Sequence, residues 1–157
     1  MVAELTTGGA IAVAVGSDAV SELTTALLAA LESRGYAVSR FGAIADGGTD
    51  WPLVARAVGA EVASGRAAFG VVCCWTGTGV SIAANKVPGV RAALCGDAAT
   101  AAGARRWNDA NVLALSLRAT AVPVALEILD AFISQAASSE PSDRAAIESI
   151  ESGGTRM

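Results

Sequence analysis

Two adjacent cysteines open the chemically richest stretch of the chain, Cys73-Cys74-Trp75-Thr76-Gly77-Thr78-Gly79-Val80-Ser81. The apolar run before it, Phe69-Gly70-Val71-Val72, reads as a buried strand. The small residues after it, from Ser81 to Lys86, read as a short helix. A thiol at a strand end, beside glycines that leave backbone amides open to a ligand, can serve as a base with an oxyanion site next to it. Successive strand residues face opposite sides, so Cys74 is the reactive candidate and Cys73 is packing, as is Cys95. Gly77-Thr78-Gly79 alone would be a weak phosphate-loop signal, and its weight comes from the longer stretch. The chain has no histidine, so any proton transfer near neutrality must use another group.

Elements that can position such a thiol follow from the pattern of apolar runs. Strands are expected at Ile11–Val15, Tyr36–Phe41, Gly70–Cys74, Val90–Cys95 and Asn111–Ser116. Helices are expected at Ser21–Ser33, Pro52–Ser64, Ser81–Lys86, Ala98–Trp107 and Ala121–Ala136. Regular alternation of strand and helix predicts an α/β fold, a three-layer sandwich of a five-stranded parallel sheet with helices on both faces. Ligands of such sheets sit at the carboxyl ends of the strands. Gly16-Ser17-Asp18, Cys74 to Gly79 and Gly96-Asp97 all fall there. Asp18 is either a ligand contact or a cap of the first helix.

A length of 157 residues fits one domain, expected over residues 1–137. A polar tail, 138–157, is expected to hold a short helix from Asp143 to Ile150 and then a disordered end. With 53% hydrophobic and only 4% aromatic residues, the core must be built from small aliphatic side chains. The net charge of −4, with no basic patch, argues against nucleic acid as a partner. No apolar run approaches a membrane span, and no signal-peptide core stands out, so a cytoplasmic location is expected. Three cysteines, two of them adjacent, do not make a disulfide framework. Without histidine or a CxxC pair, no metal site and no cofactor are expected.

From Thr76 through Asn85-Lys86-Val87-Pro88-Gly89-Val90-Arg91 to Cys95, the chain resembles the ribose-5-phosphate isomerase B and galactose-6-phosphate isomerase family. Asn108-Asp109-Ala110-Asn111-Val112-Leu113-Ala114-Leu115, Gly16-Ser17-Asp18 and Asp50-Trp51-Pro52 carry the resemblance further, from about Ile11 to Phe132. It implies a Rossmann-like fold, a small-molecule substrate and a homodimer or tetramer with active sites at a subunit interface. It also implies that Cys74 moves a proton between C1 and C2 of an opened sugar through a cis-enediolate. Thr76 would contact the reacting oxygens. Amides from Gly77 through Thr78 and Gly79 to Ser81, together with Asn108, would stabilise the negative charge. Arg105 matches a family arginine and would bind an anion.

Departures from the family pattern concentrate at this site. The first-loop histidine is Ala19, and the histidine before the motif asparagine is Trp107. The glycine after the cysteine is Trp75, the tyrosine before proline is Trp51, and an expected arginine is Ala102. Of the family's C-terminal basic cluster only Arg144 remains as a weak stand-in. All three tryptophans therefore occupy presumed site positions. Either they plug a dead pocket or pack at a dimer interface, or they line a pocket for a bulkier, less polar ligand. Three readings stay open: an isomerase of altered specificity, one subunit of a heteromer whose partner supplies the missing residues, and a repurposed binding protein.

Overall fold

The structure is a computed structural model that describes residues 6–7 and 9–153. Its strands are β1 (Thr6–Thr7), β2 (Ala10–Ser17), β3 (Ala37–Gly42), β4 (Gly70–Cys74), β5 (Ala92–Leu94) and β6 (Val112–Ser116). Its helices are α1 (Glu22–Ser33), α2 (Trp51–Ala63), α3 (Thr78–Ala84), α4 (Ala98–Asn108), α5 (Val122–Ser134) and α6 (Pro141–Glu151). Five strands pair in parallel in the order β3-β2-β4-β6-β5. The two-residue β1, which the sequence pattern did not announce, adds an antiparallel pairing to the start of β2.

Side-chain alternation builds the three layers. On β4, Val71 and Cys73 face the cluster formed with Leu27 and Leu31 of α1 and Ile128, Leu129 and Phe132 of α5. Val72 and Cys74 face the other cluster, with Val58 and Val62 of α2 and Val80, Ala83 and Ala84 of α3. Both faces of the central strands are thus covered, which explains their continuous apolar runs. Each buried leucine stabilises the fold by about 1.5–3 kcal/mol. The α2 layer sits unusually close to the sheet. A Cβ on Gly70 would lie 2.6 Å from Val58 Cγ1, and one on Gly16 would lie 2.7 Å from Val58 Cγ2.

Chain caps explain where helices begin and end. Ser21 and Thr24 form a reciprocal capping box on α1, and Asp97 accepts from the Thr100 amide at 2.7 Å to cap α4. Those hydrogen bonds hold the Asp97 carboxyl below the usual range. At the far end of α4, Asp109 turns left-handed (φ 45°) and stops the helix. The tail helix α6 runs slightly further than the sequence predicts. It is tied back by Arg91, whose guanidinium reaches Glu151 at 2.5 Å, and by the Ser138 amide on the Arg106 carbonyl. Residues 154–157, part of the expected disordered end, lie outside the described residues.

Two motif asparagines are structural clamps. Asn85 binds both the N–H and the C=O of Ala92 (2.7 and 2.9 Å), locking the end of α3 to β5. Asn111 accepts from the Arg91 amide at 2.7 Å and donates to the Gly89 carbonyl at 2.8 Å. Replacing Asn111 by alanine leaves both partners unpaired. We expect a loss of about 1–3 kcal/mol in urea unfolding, with kcat unchanged once the variant is folded.

Candidate active site at the carboxyl ends of the strands

Strand β4 ends at Cys74, and the chain then turns sharply into α3. Gly77 makes that turn: its φ is 76°, and a Cβ there would lie 2.6 Å from Leu94 Cδ1 and 2.8 Å from the Leu115 carbonyl carbon. Because Gly77 caps the helix, α3 starts at Thr78, three residues earlier than the sequence suggests. Thr78, Gly79 and Ser81 therefore lie in the helix. The amides of its first turn have no carbonyl partner within the helix.

The backbone around Cys74 is braced by the neighbouring strand. Leu117 donates to the Cys74 carbonyl at 2.9 Å, and the Arg118 amide and Ser116 hydroxyl donate to the Trp75 carbonyl at 3.0 and 2.9 Å. Cys74 itself is 6% exposed at the sheet's edge. Thr76 and Thr78 share a hydroxyl hydrogen bond of 2.7 Å. Trp51, the first residue of α2, lies over the turn, since a Cβ on Gly79 would be 3.0 Å from its indole carbons. Asp18 follows β2 at the same end of the sheet. Burial raises its carboxyl above the usual range, and a backbone hydrogen bond partly offsets this.

The three thiols are free and differ in setting. Cys73 is fully buried, and burial first, then Cys74 and Asp18, push it up to about 12. Burial and Asp97 push Cys95 up to about 11. Both remain protonated thiols at neutral pH. Cys73 is packing on the face opposite Cys74, as its place in the strand predicts.

A cavity of about 430 Å³ adjoins the turn, lined by Thr76, Leu94, Cys95, Gly96, Ser116 and Arg118 among others. Arg118 has no ion-pair partner among the described residues. Arg118 was not singled out in the sequence, although it follows the last strand at the end of the sheet where ligands of such folds sit. Among the described residues no cluster of three or more metal-ligating side chains occurs, and no helix is long and apolar enough to cross a membrane.

Arg105, Trp107 and Asn108 are not brought to Cys74. Helix α4 leaves the carboxyl end of β5 and runs back, so its last residues reach the opposite end of the sheet. There the Gly70 amide bonds the Asn111 carbonyl at 2.9 Å. The length of β4, about 13 Å at ~3.3 Å per residue, separates that end from Cys74. Arg105 is engaged with Asp109 at 3.2 Å and the Ala110 carbonyl at 2.5 Å, and its guanidinium stands 5.3 Å over the Phe132 ring. Arg144 lines a separate depression at this end, with Arg91 and Arg105. The tryptophans fill no core: Trp51, Trp75 and Trp107 are 41%, 65% and 56% exposed.

The ribose/galactose isomerase family model matches residues 13–150, past Phe132 and into α6. Ribose-5-phosphate isomerase B of Escherichia coli is 38% identical over 122 residues, 77% of this chain and 82% of its own length. The galactose-6-phosphate isomerase subunit LacB of Clostridium acetobutylicum is 37% identical over 122 residues, 77% of this chain and 70% of its own. The structure of type B ribose 5-phosphate isomerase from Trypanosoma cruzi superimposes with a TM-score of 0.85 at 37% identity. That match covers 91% of this chain and 95% of that one. The parallel sheet, the cysteine turn and these matches together place the chain in the ribose/galactose isomerase family, whose members here are sugar-phosphate isomerases.

Proposed function

We propose that the protein is a cofactor-independent aldose–ketose isomerase that uses Cys74 as its proton-transfer base, with a specificity altered by its tryptophans. The observation that carries this reading is the position of the thiol. Cys74 is set at the end of β4 beside the left-handed Gly77 and the unpartnered first-turn amides. The thiolate takes the proton from the hydroxyl-bearing carbon next to the carbonyl. The electron pair moves into a carbon–carbon double bond, and negative charge collects on the carbonyl oxygen. Amides from Gly77 to Val80 and the hydrogen-bonded Thr76–Thr78 hydroxyl pair bind that oxygen, while the Ser81 amide closes the first turn on the Gly77 carbonyl at 3.2 Å. The proton of the other enediol oxygen passes to the charged oxygen, the thiol returns its own proton to the carbon that bore the carbonyl, and the carbonyl reappears one carbon along. No atom is gained or lost.

Asn108 joins this site only from a second copy, because within one chain it stands at the other end of the sheet. A partner's α4 end would carry Trp107 and Asn108 together, while Arg105 holds the Asp109–Ala110 turn that presents them. The exposed indoles of Trp51 and Trp75 would meet Trp107 around the ligand and form broad apolar walls with one N–H donor each. Asp18 closes the side next to β2, and Arg118 offers charge to an anionic end of the substrate.

Complementation tests the shared site. Cys74→Ala and Asn108→Ala homomers should each be nearly inactive, and mixing them with unfolding and refolding should restore activity through sites that are intact on both sides. No recovery from mixed oligomers would reject a shared site. A second reading assigns the partner role to a different chain, and one relative's own description as a subunit favours weighing it. Full activity of the purified chain alone would reject that version.

A further inference from the structure

The end of α4 is held from outside by a residue of the sheet. Asp109, which follows Asn108, turns left-handed at φ 45°. Glycine is the usual residue for that turn, because a Cβ there is strained. The aspartate brings a carboxylate that glycine lacks, and two arginines use it. Arg105, one turn back in α4, donates to its Oδ1 at 3.2 Å. Arg91, just before β5, donates from Nε to the Asp109 carbonyl at 2.7 Å and from Nη2 to Oδ2 at 3.3 Å. Its Nη1 reaches Glu151 of α6 at 2.5 Å, so every nitrogen of the guanidinium is engaged, and the side chain is only 18% exposed. Arg91 is in turn fixed at the start of β6. Its amide donates to the Asn111 side chain at 2.7 Å, and its carbonyl accepts from the Asn111 amide at 3.0 Å. A chain of contacts therefore runs from the sheet through one side chain to the residue after Asn108.

Asn108 needs that support. It is the last residue of α4, where carbonyls run out of helical partners and ends fray. A strained backbone such as that of Asp109 persists where its surroundings over-determine it, and such places cluster at functional sites. Resting on the shared-site reading, we infer that Arg91 is a positioning residue for the isomerisation. It acts through Asp109 rather than on the substrate. It fixes the turn that presents Asn108 and Trp107 to the Cys74 of a second copy, with Glu151 holding the outer side of the same guanidinium. Misplacing such a group by about 1 Å can cost about 10²-fold in rate.

In a mixed oligomer of Cys74→Ala and Asn108→Ala chains, the working site takes its thiol from the second chain and its asparagine from the first. Arg91→Gln can therefore be placed on either side of one site. Deuterium exchange from solvent into ribulose 5-phosphate reads the result for the refolded full-length mixtures. On the Cys74→Ala chain, which supplies Asn108, the substitution should lower exchange about 10–100-fold relative to the parent mixture. On the Asn108→Ala chain, which supplies Cys74, it should leave exchange unchanged, because Arg91 there lies at the far end of the sheet from the thiol. Asp109→Asn is the second variant, since asparagine tolerates the left-handed turn but loses the charge that both arginines hold. It should give the same asymmetry, and it carries the comparison should the Arg91→Gln chain fail to fold. Equal losses in the two arrangements would show a purely structural role, and no loss in either would show none at the site. Both results overturn the inference and leave the shared site standing. If the parent mixture itself exchanges no deuterium, the shared-site reading fails and takes the inference with it.

Discussion

Replacing Cys74 by alanine is expected to lower kcat by about 10²–10⁴-fold, the contribution typical of a positioned general base, with little change in KM. The loss falls on kcat because a thiol at the carbon-bound proton works in the transition state rather than in ground-state binding. Cys73→Ala is the internal control. That thiol is fully buried on the opposite face, among Val71, Leu113 and Leu115. Its loss should lower stability by on the order of 1 kcal/mol and leave kcat intact. If Cys73→Ala abolished turnover and Cys74→Ala did not, the face assignment of β4 would be wrong. Steady-state kinetics of both variants, with urea midpoints to confirm folding, makes the comparison.

Gly77→Ala is the second large effect expected. The left-handed backbone at φ 76° is strained for any residue with a Cβ, and the new methyl would lie 2.8 and 2.9 Å from the carbonyl carbon and oxygen of Leu115. The Leu94 side chain can swing aside, but the backbone of β6 cannot. Strain and overpacking together should cost about 2–4 kcal/mol in urea unfolding. Displacing the first-turn amides of α3 should also lower kcat by about 10²–10³-fold, as losing an oxyanion donor does. Gly48→Ala is the matched control, since a Cβ there meets nothing within 4 Å. A Gly77→Ala variant as stable and active as Gly48→Ala would show that the turn does not position the site.

Much of the framework was legible in the sequence because it rests on local patterns. β4 begins and ends where its apolar run does, α1 and α4 follow their caps, and α5 follows its apolar spacing. The start of α3 was not legible, because a run of threonine, glycine and serine looks like a loop. Only the left-handed turn at Gly77 draws it into the helix. Asn85 and Asn111 sit in the strongest motifs, yet their work is to tie loops together, and that depends on partners seven and more than twenty residues away. Arg118 lay just past the last strand, outside every motif. The placement of Arg105, Trp107 and Asn108 could have been foreseen. In a parallel α/β sheet, a helix that starts at the carboxyl ends of the strands must finish at their amino ends. Residues at its end therefore lie away from their own Cys74.

That geometry gives the tryptophans a common explanation. In the isolated chain all three are exposed, Trp51 and Trp75 beside the thiol and Trp107 at the far end. Exposed indoles in a protein so poor in aromatics call for an interface or a ligand. In the proposed shared site, a second copy that delivers Trp107 and Asn108 to the Cys74 site would supply both. The fold does not specify the ligand, because function resides in the site grafted onto it.

The most direct measurement is solvent deuterium exchange at the carbon next to the carbonyl of an acyclic ketose phosphate, followed by proton NMR for the unmodified protein and for Cys74→Ala. If Cys74 is the base, the unmodified protein incorporates deuterium in proportion to its concentration, and the folded alanine variant incorporates it no faster than buffer. Equal incorporation by the two would contradict the assignment of Cys74 as the proton-transfer base.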